Sequence, residues 1–262
     1  MRPVMQYNRI VILGGGTSGW MMAAALSKHM PSLKVTLIES ARLGTIGVGE
    51  GSTPLFKKFM QSLNIVEKDW MPACDASFKS GIYFDNWNGQ NDSYFHPFFS
   101  ELDAKTAEVF FVNANARRRR NGEQTKPENY FLTGHLAAEN LSPKATKPLV
   151  REQEYGYHFD AAKLANLLSK FAINNGINHI IGDFDYAKTD EHNNINALVL
   201  KDKQSIVGDM FIDASGFNAL LIEKTLGVQF ESFSHQLLND SAVAVATPFD
   251  LTNDSMPLQN ST

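Results

Sequence analysis

The sequence predicts an α/β fold, and the N-terminal segment carries the main observations. The apolar run Ile10–Leu13 predicts a strand, the glycine-rich segment 14–19 a tight turn, and the Met-, Ala- and Leu-rich stretch after it a helix. A second apolar run, Val35–Ile38, predicts a strand that ends at Glu39. Strand, glycine turn, helix and strand in this order are typical of a Rossmann-type dinucleotide-binding domain.

The glycine turn has the G-x-G-x-x-G spacing, formed by Gly14, Gly16, Thr17, Ser18 and Gly19. In this motif the first glycine makes the tight turn, the second lets a pyrophosphate approach the backbone, and the third packs the helix on the strand. The phosphate then binds unpaired N–H groups at the helix N-terminus. Glu39 follows about 20 residues later, where a carboxylate can accept a hydrogen bond from a ribose 2′-hydroxyl.

Composition sets the broad class. The 262 residues are 43% hydrophobic and 20% charged, so we expect one large globular domain over residues 1–262. A net charge of −4 argues against nucleic-acid and membrane binding, and the basic run 117–120 is interpreted as a solvated helix face or loop. The single cysteine, Cys74, excludes an internal disulfide and suits a reducing compartment. With no signal peptide or membrane span in the sequence, we expect a cytoplasmic protein.

The later elements alternate between regular and irregular sequence. Glycines in Ile46–Ser52 predict a loop able to approach a ligand closely. Thr53 and Pro54 suit the start of a helix whose apolar positions recur at helical spacing, namely Phe56, Phe59, Met60 and Leu63. Residues 88–148 lose periodicity, which predicts a segment inserted in the nucleotide-binding scaffold. A helix is expected from Asp160 to 175–176, then strands at 180–181, 184–187, 195–200 and 206–213.

Lys79 is the first candidate for chemistry. Alternation across residues 76–84 predicts one strand with an apolar face formed by Phe78, Ser80, Ile82 and Phe84, and Lys79 lies on the other face. An exposed lysine is the simplest interpretation. If the amine is partly desolvated, its pKa falls and it can act as a nucleophile or proton donor near neutral pH.

Three further residues have two open interpretations each. His96 and Phe98 would project to the same side of an extended segment, as a surface for a flat apolar molecule or as a hydrophobic cluster anchoring the insertion. Asp213 follows an apolar strand, where ligands gather in open α/β sheets, but a plain strand-to-turn transition fits equally well. The seven histidines show no metal-ligand spacing, so no metal site is expected. The chain also has no G-x-S-x-G nucleophile elbow.

Together these motifs resemble the flavin-dependent tryptophan halogenase family. GGGTSGWM (14–21) is similar to the family's opening GGGTAGWM, LIES (37–40) to its second strand and GVGE (47–50) to its loop. The series WMP (70–72), FK (78–79) and NW (86–87) follows in the family's order. Later segments agree as well: HFDA (158–161), FIDASG (211–216) and NDSAV (239–243). The resemblance covers nearly the whole chain.

The resemblance implies a Rossmann-type FAD-binding domain of the flavoprotein monooxygenase and halogenase kind, with 88–148 as an inserted substrate-side segment. Lys79 matches the family's essential lysine, and His96 and Phe98 its pair of aromatic residues around the indole. The implied cofactor-binding residues are Gly14, Gly16, Thr17, Ser18, Gly19, Glu39, Ser40, Gly47, Val48, Gly49 and Glu50.

The implied chemistry is halogenation. Reduced FAD, supplied by a separate flavin reductase, gives hypohalous acid from O2 and a halide, either chloride or bromide. The acid moves through the protein to Lys79, which delivers the halogen to an indole such as tryptophan. Regioselectivity then requires one ring carbon within reach of the lysine while water is excluded.

The chain departs from the family in two places. Gly51, Ser52 and Thr53 replace the usual A-T-V/I before the proline. The family's W-x-W-x-I-P signature is expected beyond Thr262, so we interpret the chain as the N-terminal half, a truncated form lacking full activity and the C-terminal part of the fold. The alternatives are a flavoprotein monooxygenase in which Lys79 has no role, and a non-catalytic FAD-binding fragment.

Overall fold

The computed structural model describes residues 7–42, 50–87, 89, 93–119, 125–145, 147, 151–239, 241, 243 and 260–261. The chain divides into two compact units. Unit 1 comprises Met1–Val48 and Ala161–Thr247, and unit 2 comprises Gly49–Asp160 and Pro248–Thr262. The segment 88–148 lies within unit 2.

Both units are built from short strands and helices. The strands are β1 (Arg9–Leu13), β2 (Lys34–Glu39), β3 (Glu50–Gly51), β4 (Ser77–Lys79), β5 (Gly81–Phe84), β6 (Tyr94–Pro97), β7 (Gly156–Phe159), β8 (Asn178–Ile181), β9 (Phe184–Thr189), β10 (Ile195–Leu200), β11 (Ser205–Val207), β12 (Met210–Asp213) and β13 (Asn260–Ser261). The helices are α1 (Thr17–His29), α2 (Pro54–Ser62), α3 (Glu67–Ala73), α4 (Ala104–Arg118), α5 (Leu132–Ala138) and α6 (Ala161–Asn174). No helix in these ranges is long and apolar enough to span a membrane.

Unit 1 is built on a parallel sheet with the strand order β12-β1-β2-β8. Parallel pairing brings the carboxyl ends of β1, β2 and β12 to one edge, so the glycine turn, Glu39 and Asp213 lie at that edge. This confirms the predicted α/β fold, and the edge is where ligands bind in open α/β sheets.

The two faces of this sheet are covered differently. An antiparallel meander, β11-β10-β9, packs on one face through a cluster formed by Val11, Leu13, Ile38, Leu198, Leu200, Ile206 and Leu221. Helices α1 and α6 pack against each other, and α1 contacts β1 and β2. Helix α1 buries Trp20, Ala23, Ala24 and Ser27, and α6 buries Leu164, Ala165, Leu168 and Ala172. Both sets recur at helical spacing, and α6 lies within the predicted helix from Asp160 to 175–176.

Unit 2 contains a second sheet, in the order β13-β4-β7-β3, and the hairpin β5-β6. One face of this sheet carries an aromatic core in which Trp70 lies 4.8 Å from Tyr157 and Phe56 lies 5.1 Å from Phe159, ring centre to ring centre. Helix α2 supplies Phe56 and begins at Pro54 after Thr53, as predicted. The opposite face carries Lys79 and His158, because side chains alternate along a strand.

The prediction of one strand over residues 76–84 is wrong. The chain forms β4 and β5 in separate sheets, with the fully buried Ser80 between them, and Ile82 is 39% exposed. Residues 206–213 likewise contain two strands, β11 and β12, because the chain passes at Gly208 from the meander to the parallel sheet. The segment 88–148 contains α4, of which only Ala107 is buried, so the sequence shows no helical periodicity there.

Candidate functional site

The glycine turn at the edge of unit 1 has a distinct role for each glycine. Gly14 has φ +124°, and a Cβ there would lie 2.1 Å from the carbonyl oxygen of Ala214. A Cβ at Gly19 would lie 1.9 Å from the carbonyl oxygen of Gly14, so the helix packs tightly on the turn. At Gly16, a Cβ would meet no atom of the described residues within 4 Å. This open approach to the backbone fits a pyrophosphate group.

Helix α1 starts at this turn, with Gly16 as its N-cap. Thr17 is half-buried and Ser18 exposed, and no side chain caps the helix. The first N–H groups of a helix lack intrahelical partners, so those at Thr17 and Ser18 can donate to an anion. The structure thus places Gly16, Thr17 and Ser18, which the sequence predicts to bind phosphate, at the N-terminus of α1.

Glu39 lies at the end of β2, beside the glycine turn. A Cβ at Gly15 would lie 1.6 Å from Glu39 Oε2, so the carboxylate reaches over the turn. Its other oxygen, Oε1, lies 2.8 Å from Nε2 of His179, and the His179 ring packs edge-on against Trp20 at 5.1 Å. Sequence reasoning missed His179, because its strand lies far along the chain and lone histidines carry no motif.

Ser40 and Asp213, at the same edge, form hydrogen bonds within unit 1, and the cofactor-binding role of Ser40 stays a prediction. The Ser40 hydroxyl donates to Oδ1 of Asp183 at 2.6 Å, and Arg42 pairs with the same carboxylate. Asp213 accepts hydrogen bonds from Ser215 and from the backbone N–H groups of residues 221 and 222. Burial acts to raise the Asp213 pKa, but the hydrogen bonds from Ser215 and the backbone lower it more, and the net pKa is lowered. Of the two interpretations of Asp213, the contacts favour the strand-to-turn transition.

Lys79 is the last residue of β4 and is half-buried. Its Nζ lies 5.9 Å from the centre of the Phe98 ring. Burial lowers its pKa from 10.5, because the charged ammonium is partly desolvated. Of the two interpretations of Lys79, this placement favours the partly desolvated amine over a fully exposed strand lysine.

His158 is close to Lys79 and was not singled out from the sequence. It lies opposite Gly51 in β3 and opposite Ser77 in β4. The position of a Cβ at Gly51 is 2.7 Å from Lys79 Nζ and 3.1 Å from His158 Nε2, so both nitrogens converge over this glycine. Burial lowers the pKa of His158 from 6.5, and the Lys79 charge lowers it further, so the imidazole is neutral at neutral pH.

Of the two predicted aromatic residues, Phe98 lies near Lys79, whereas the ring contact of His96 is with Phe84. Phe98 is half-buried directly after β6, and its N–H donates to the carbonyl of Ser80 at 3.0 Å. His96 lies in β6, is exposed, and has its ring 6.5 Å from that of Phe84. Their shared contact with a flat substrate stays a prediction.

The glycine loop is described only at its end. Gly47, Val48 and Gly49 lie outside the described residues. Glu50 is half-buried in β3, where burial raises its carboxyl pKa. Within the described ranges, no group of three or more His, Cys, Asp or Glu side chains could hold a metal ion.

The glycine turn, the approach at Gly16 and the carboxylate at the end of β2 are the features of a dinucleotide-binding α/β unit, and unit 1 has all three. The family model of the tryptophan halogenases matches residues 9–262. The chain therefore belongs to the tryptophan halogenase family.

Individual relatives agree with this assignment. The 7-chloro-L-tryptophan 6-halogenase of Kutzneria sp. (strain 744) is 37% identical over 92% of this chain and 51% of its own length. The tryptophan 6-halogenase of Streptomyces toxytricini is 32% identical over 95% and 52%. A solved flavin-dependent halogenase from Xanthomonas campestris is 39% identical with a TM-score of 0.76, covering 88% of this chain and 46% of that one. The chain thus spans about half the length of the curated relatives it matches.

Proposed function

We propose that this chain is the flavin- and lysine-bearing part of a flavin-dependent halogenase acting on an indole such as tryptophan. The observation that carries the proposal is a half-buried Lys79 with a lowered pKa, close to Phe98 and His158, in a chain of the tryptophan halogenase family. The relatives act on tryptophan or chlorotryptophan by name, which supports an indole as the substrate.

In this proposal FAD binds at the sheet edge of unit 1. The pyrophosphate approaches Gly16 and the N–H groups that begin α1, and Glu39 accepts a hydrogen bond from the adenosine ribose. The open space at Gly16 and the carboxylate beside the turn fit these two parts of the cofactor. When bound and reduced by a flavin reductase, FAD supplies hypohalous acid from O2 and chloride or bromide.

Lys79 then acts on the hypohalous acid. Because burial lowers its pKa, a larger share of Lys79 is the free amine near neutral pH. The amine either holds the acid by a hydrogen bond or attacks its halogen. In the second case an N–halogen bond forms, the halogen–oxygen bond breaks, and the amine proton leaves with the hydroxide as water. His158, neutral at neutral pH, adds no second positive charge beside Lys79.

The proposal is tested by halogenation with the flavin supplied directly. The chain is given photochemically reduced FAD, O2, bromide and indole, and brominated indole is measured by mass spectrometry. Wild type is expected to form it, and Lys79→Ala is expected to lose at least a hundredfold in rate, since a positioned nucleophile is removed. Lys105→Ala removes an exposed lysine of the same unit and should keep the wild-type rate.

The outcomes separate the alternatives. Bromination by Lys79→Ala at the wild-type rate contradicts the role of Lys79. Hydroxylated product that forms without halide identifies a monooxygenase instead. FAD binding without either product identifies a flavin-binding fragment that does not catalyse on its own.

A further inference from the structure

The carboxylate of Glu39 is held by a histidine that belongs to no nucleotide-binding motif. Glu39 ends β2, and its Oε2 occupies the space that a side chain at position 15 would need. Its Oε1 lies 2.8 Å from Nε2 of His179. One oxygen therefore faces the glycine turn while the other is held by a neighbouring strand.

We propose that His179 is a positioning residue for nucleotide recognition: it fixes the Glu39 carboxylate in the orientation that accepts a hydrogen bond from the adenosine ribose. The inference rests on the proposed function, because it takes FAD as the ligand of the glycine turn. His179 acts through Glu39 and is not placed in contact with the cofactor.

The hydrogen bond has a defined direction. An ionised carboxylate only accepts, so His179 Nε2 carries the hydrogen and donates it to Oε1. The side chains of His179 and Glu39 are 21% and 27% exposed, so the bond is partly shielded from water. Hydrogen bonds to a charged group are among the stronger ones in proteins, and partial burial strengthens them further.

The fold determines where His179 points. In the parallel pairing of β2 and β8, His179 lies beside Leu37, two residues before Glu39, so both side chains lie on one face of the sheet. The ring of His179 packs against Trp20, which is buried in the first turns of α1. The histidine thereby links the end of β2 to the helix that begins at the glycine turn.

The orientation of Glu39 by His179 matters because a glutamate side chain that is free to rotate would lose conformational entropy when the ribose binds. A carboxylate already fixed over the turn needs no further ordering when the ribose arrives, and preorganisation of this kind raises affinity. Gly15 supplies the space for the carboxylate and His179 supplies its direction. The predicted effect is therefore confined to the adenosine side of the ligand.

The test compares two ligands that differ by one hydroxyl. Dissociation constants are measured by flavin fluorescence for FAD and for its analogue carrying 2′-deoxyadenosine, on wild type and two variants of His179. His179→Phe keeps a ring against Trp20 but loses the donor, and His179→Gln keeps an N–H donor. His192→Gln, at an exposed histidine of the same unit, is the matched control.

Wild type should bind FAD about tenfold more tightly than the analogue, the size of one hydrogen bond to a charged group. His179→Phe should abolish this preference, His179→Gln should retain most of it, and His192→Gln should leave it unchanged. FMN, which lacks the adenosine, should bind wild type and His179→Phe equally.

Three results would overturn the inference. A folded His179→Phe variant that keeps the full preference shows that the histidine does not orient Glu39, and the proposed function then still stands. Equal weakening of FAD, the analogue and FMN shows a general structural role instead. A wild-type chain that binds no FAD removes the proposed function and this inference together.

Discussion

At the scale of single residues, one carboxylate connects several parts of unit 2. Glu67, the first residue of α3, accepts hydrogen bonds from the hydroxyls of Tyr155 at 2.7 Å and Tyr157 at 2.6 Å, and also pairs with Lys144. Burial and the adjacent carboxylate raise the pKa of both tyrosines, so their hydroxyls stay protonated as donors. Tyr157 belongs to the strand that carries His158, so this network also fixes the strand beside Lys79.

Removing this carboxylate is expected to destabilise the protein strongly. Glu67→Ala leaves two largely buried hydroxyls without their acceptor, which should lower the free energy of unfolding by about 3 kcal/mol at pH 7. Urea denaturation measures the change. Glu108→Ala, at an exposed glutamate of α4, is the matched control and should stay within about 0.5 kcal/mol of wild type.

The same network should make stability depend on acid pH. Burial acts to raise the Glu67 pKa, but hydrogen bonds from Lys144, Tyr157 and Tyr155 lower it more, and the net pKa falls below 4.5. The stabilisation is therefore complete above pH 4.5 and is lost as the pH falls through the lowered pKa. The stability difference between wild type and Glu67→Gln should shrink over that range, and a constant difference would contradict the assignment.

At the scale of elements, different glycines of the β1–α1 turn serve ligand binding and folding. Gly16 has φ −74° and ψ −178°, which alanine adopts readily, and a Cβ there would meet none of the described residues within 4 Å. Gly16→Ala should therefore cost less than about 1 kcal/mol in stability. Since its methyl group would occupy the approach of the pyrophosphate, FAD affinity should fall at least tenfold.

Gly19→Ala is the informative counterpart within the same turn. A Cβ there would lie 1.9 Å from the backbone oxygen of Gly14, so helix and strand must move apart at a cost of about 3 kcal/mol. Thermal melting of Gly16→Ala and Gly19→Ala measures the change in stability, and FAD titration of both variants measures the change in affinity. Wild-type FAD affinity in Gly16→Ala would show that the pyrophosphate does not bind at this turn.

The elements that the sequence predicts well are those with local signals. The glycine turn, α2 and α6 carry caps and helical periodicity in consecutive residues, and the structure contains them close to the predicted bounds. The break at Ser80 has no such signal because it depends on which sheet each strand joins. Helix α4 has none because only Ala107 of this helix is buried, so its sequence has no apolar stripe. The same holds within the sites: the spacing of the glycine motif predicts the places of Gly14 and Glu39, whereas strand pairing sets the contacts of His158 and His179.

At the scale of the whole molecule, the chain has two compact units and the family's motifs are divided between them. Unit 1 contains the glycine turn and Glu39, and unit 2 contains Lys79 and Phe98. Each unit has a core of its own, formed by the aliphatic cluster of unit 1 and the aromatic cluster of unit 2. The proposed cofactor binding and the proposed halogen transfer can therefore be tested on separate residues of one chain.

FAD should stabilise the folded chain by mass action, because a ligand that binds only the folded form shifts the unfolding equilibrium. At a free FAD concentration a hundredfold above its dissociation constant, the gain is about 2.7 kcal/mol, or roughly 5–10 °C in the melting midpoint. Hydrogen exchange should show the same gain in the free energy of opening for the amides of the core strands β1, β2 and β12 of unit 1. Gly16→Ala supplies the control, since its midpoint should respond far less at the same FAD concentration. A wild-type midpoint and exchange pattern that FAD leaves unchanged would show that the chain forms the dinucleotide fold without a functional binding site.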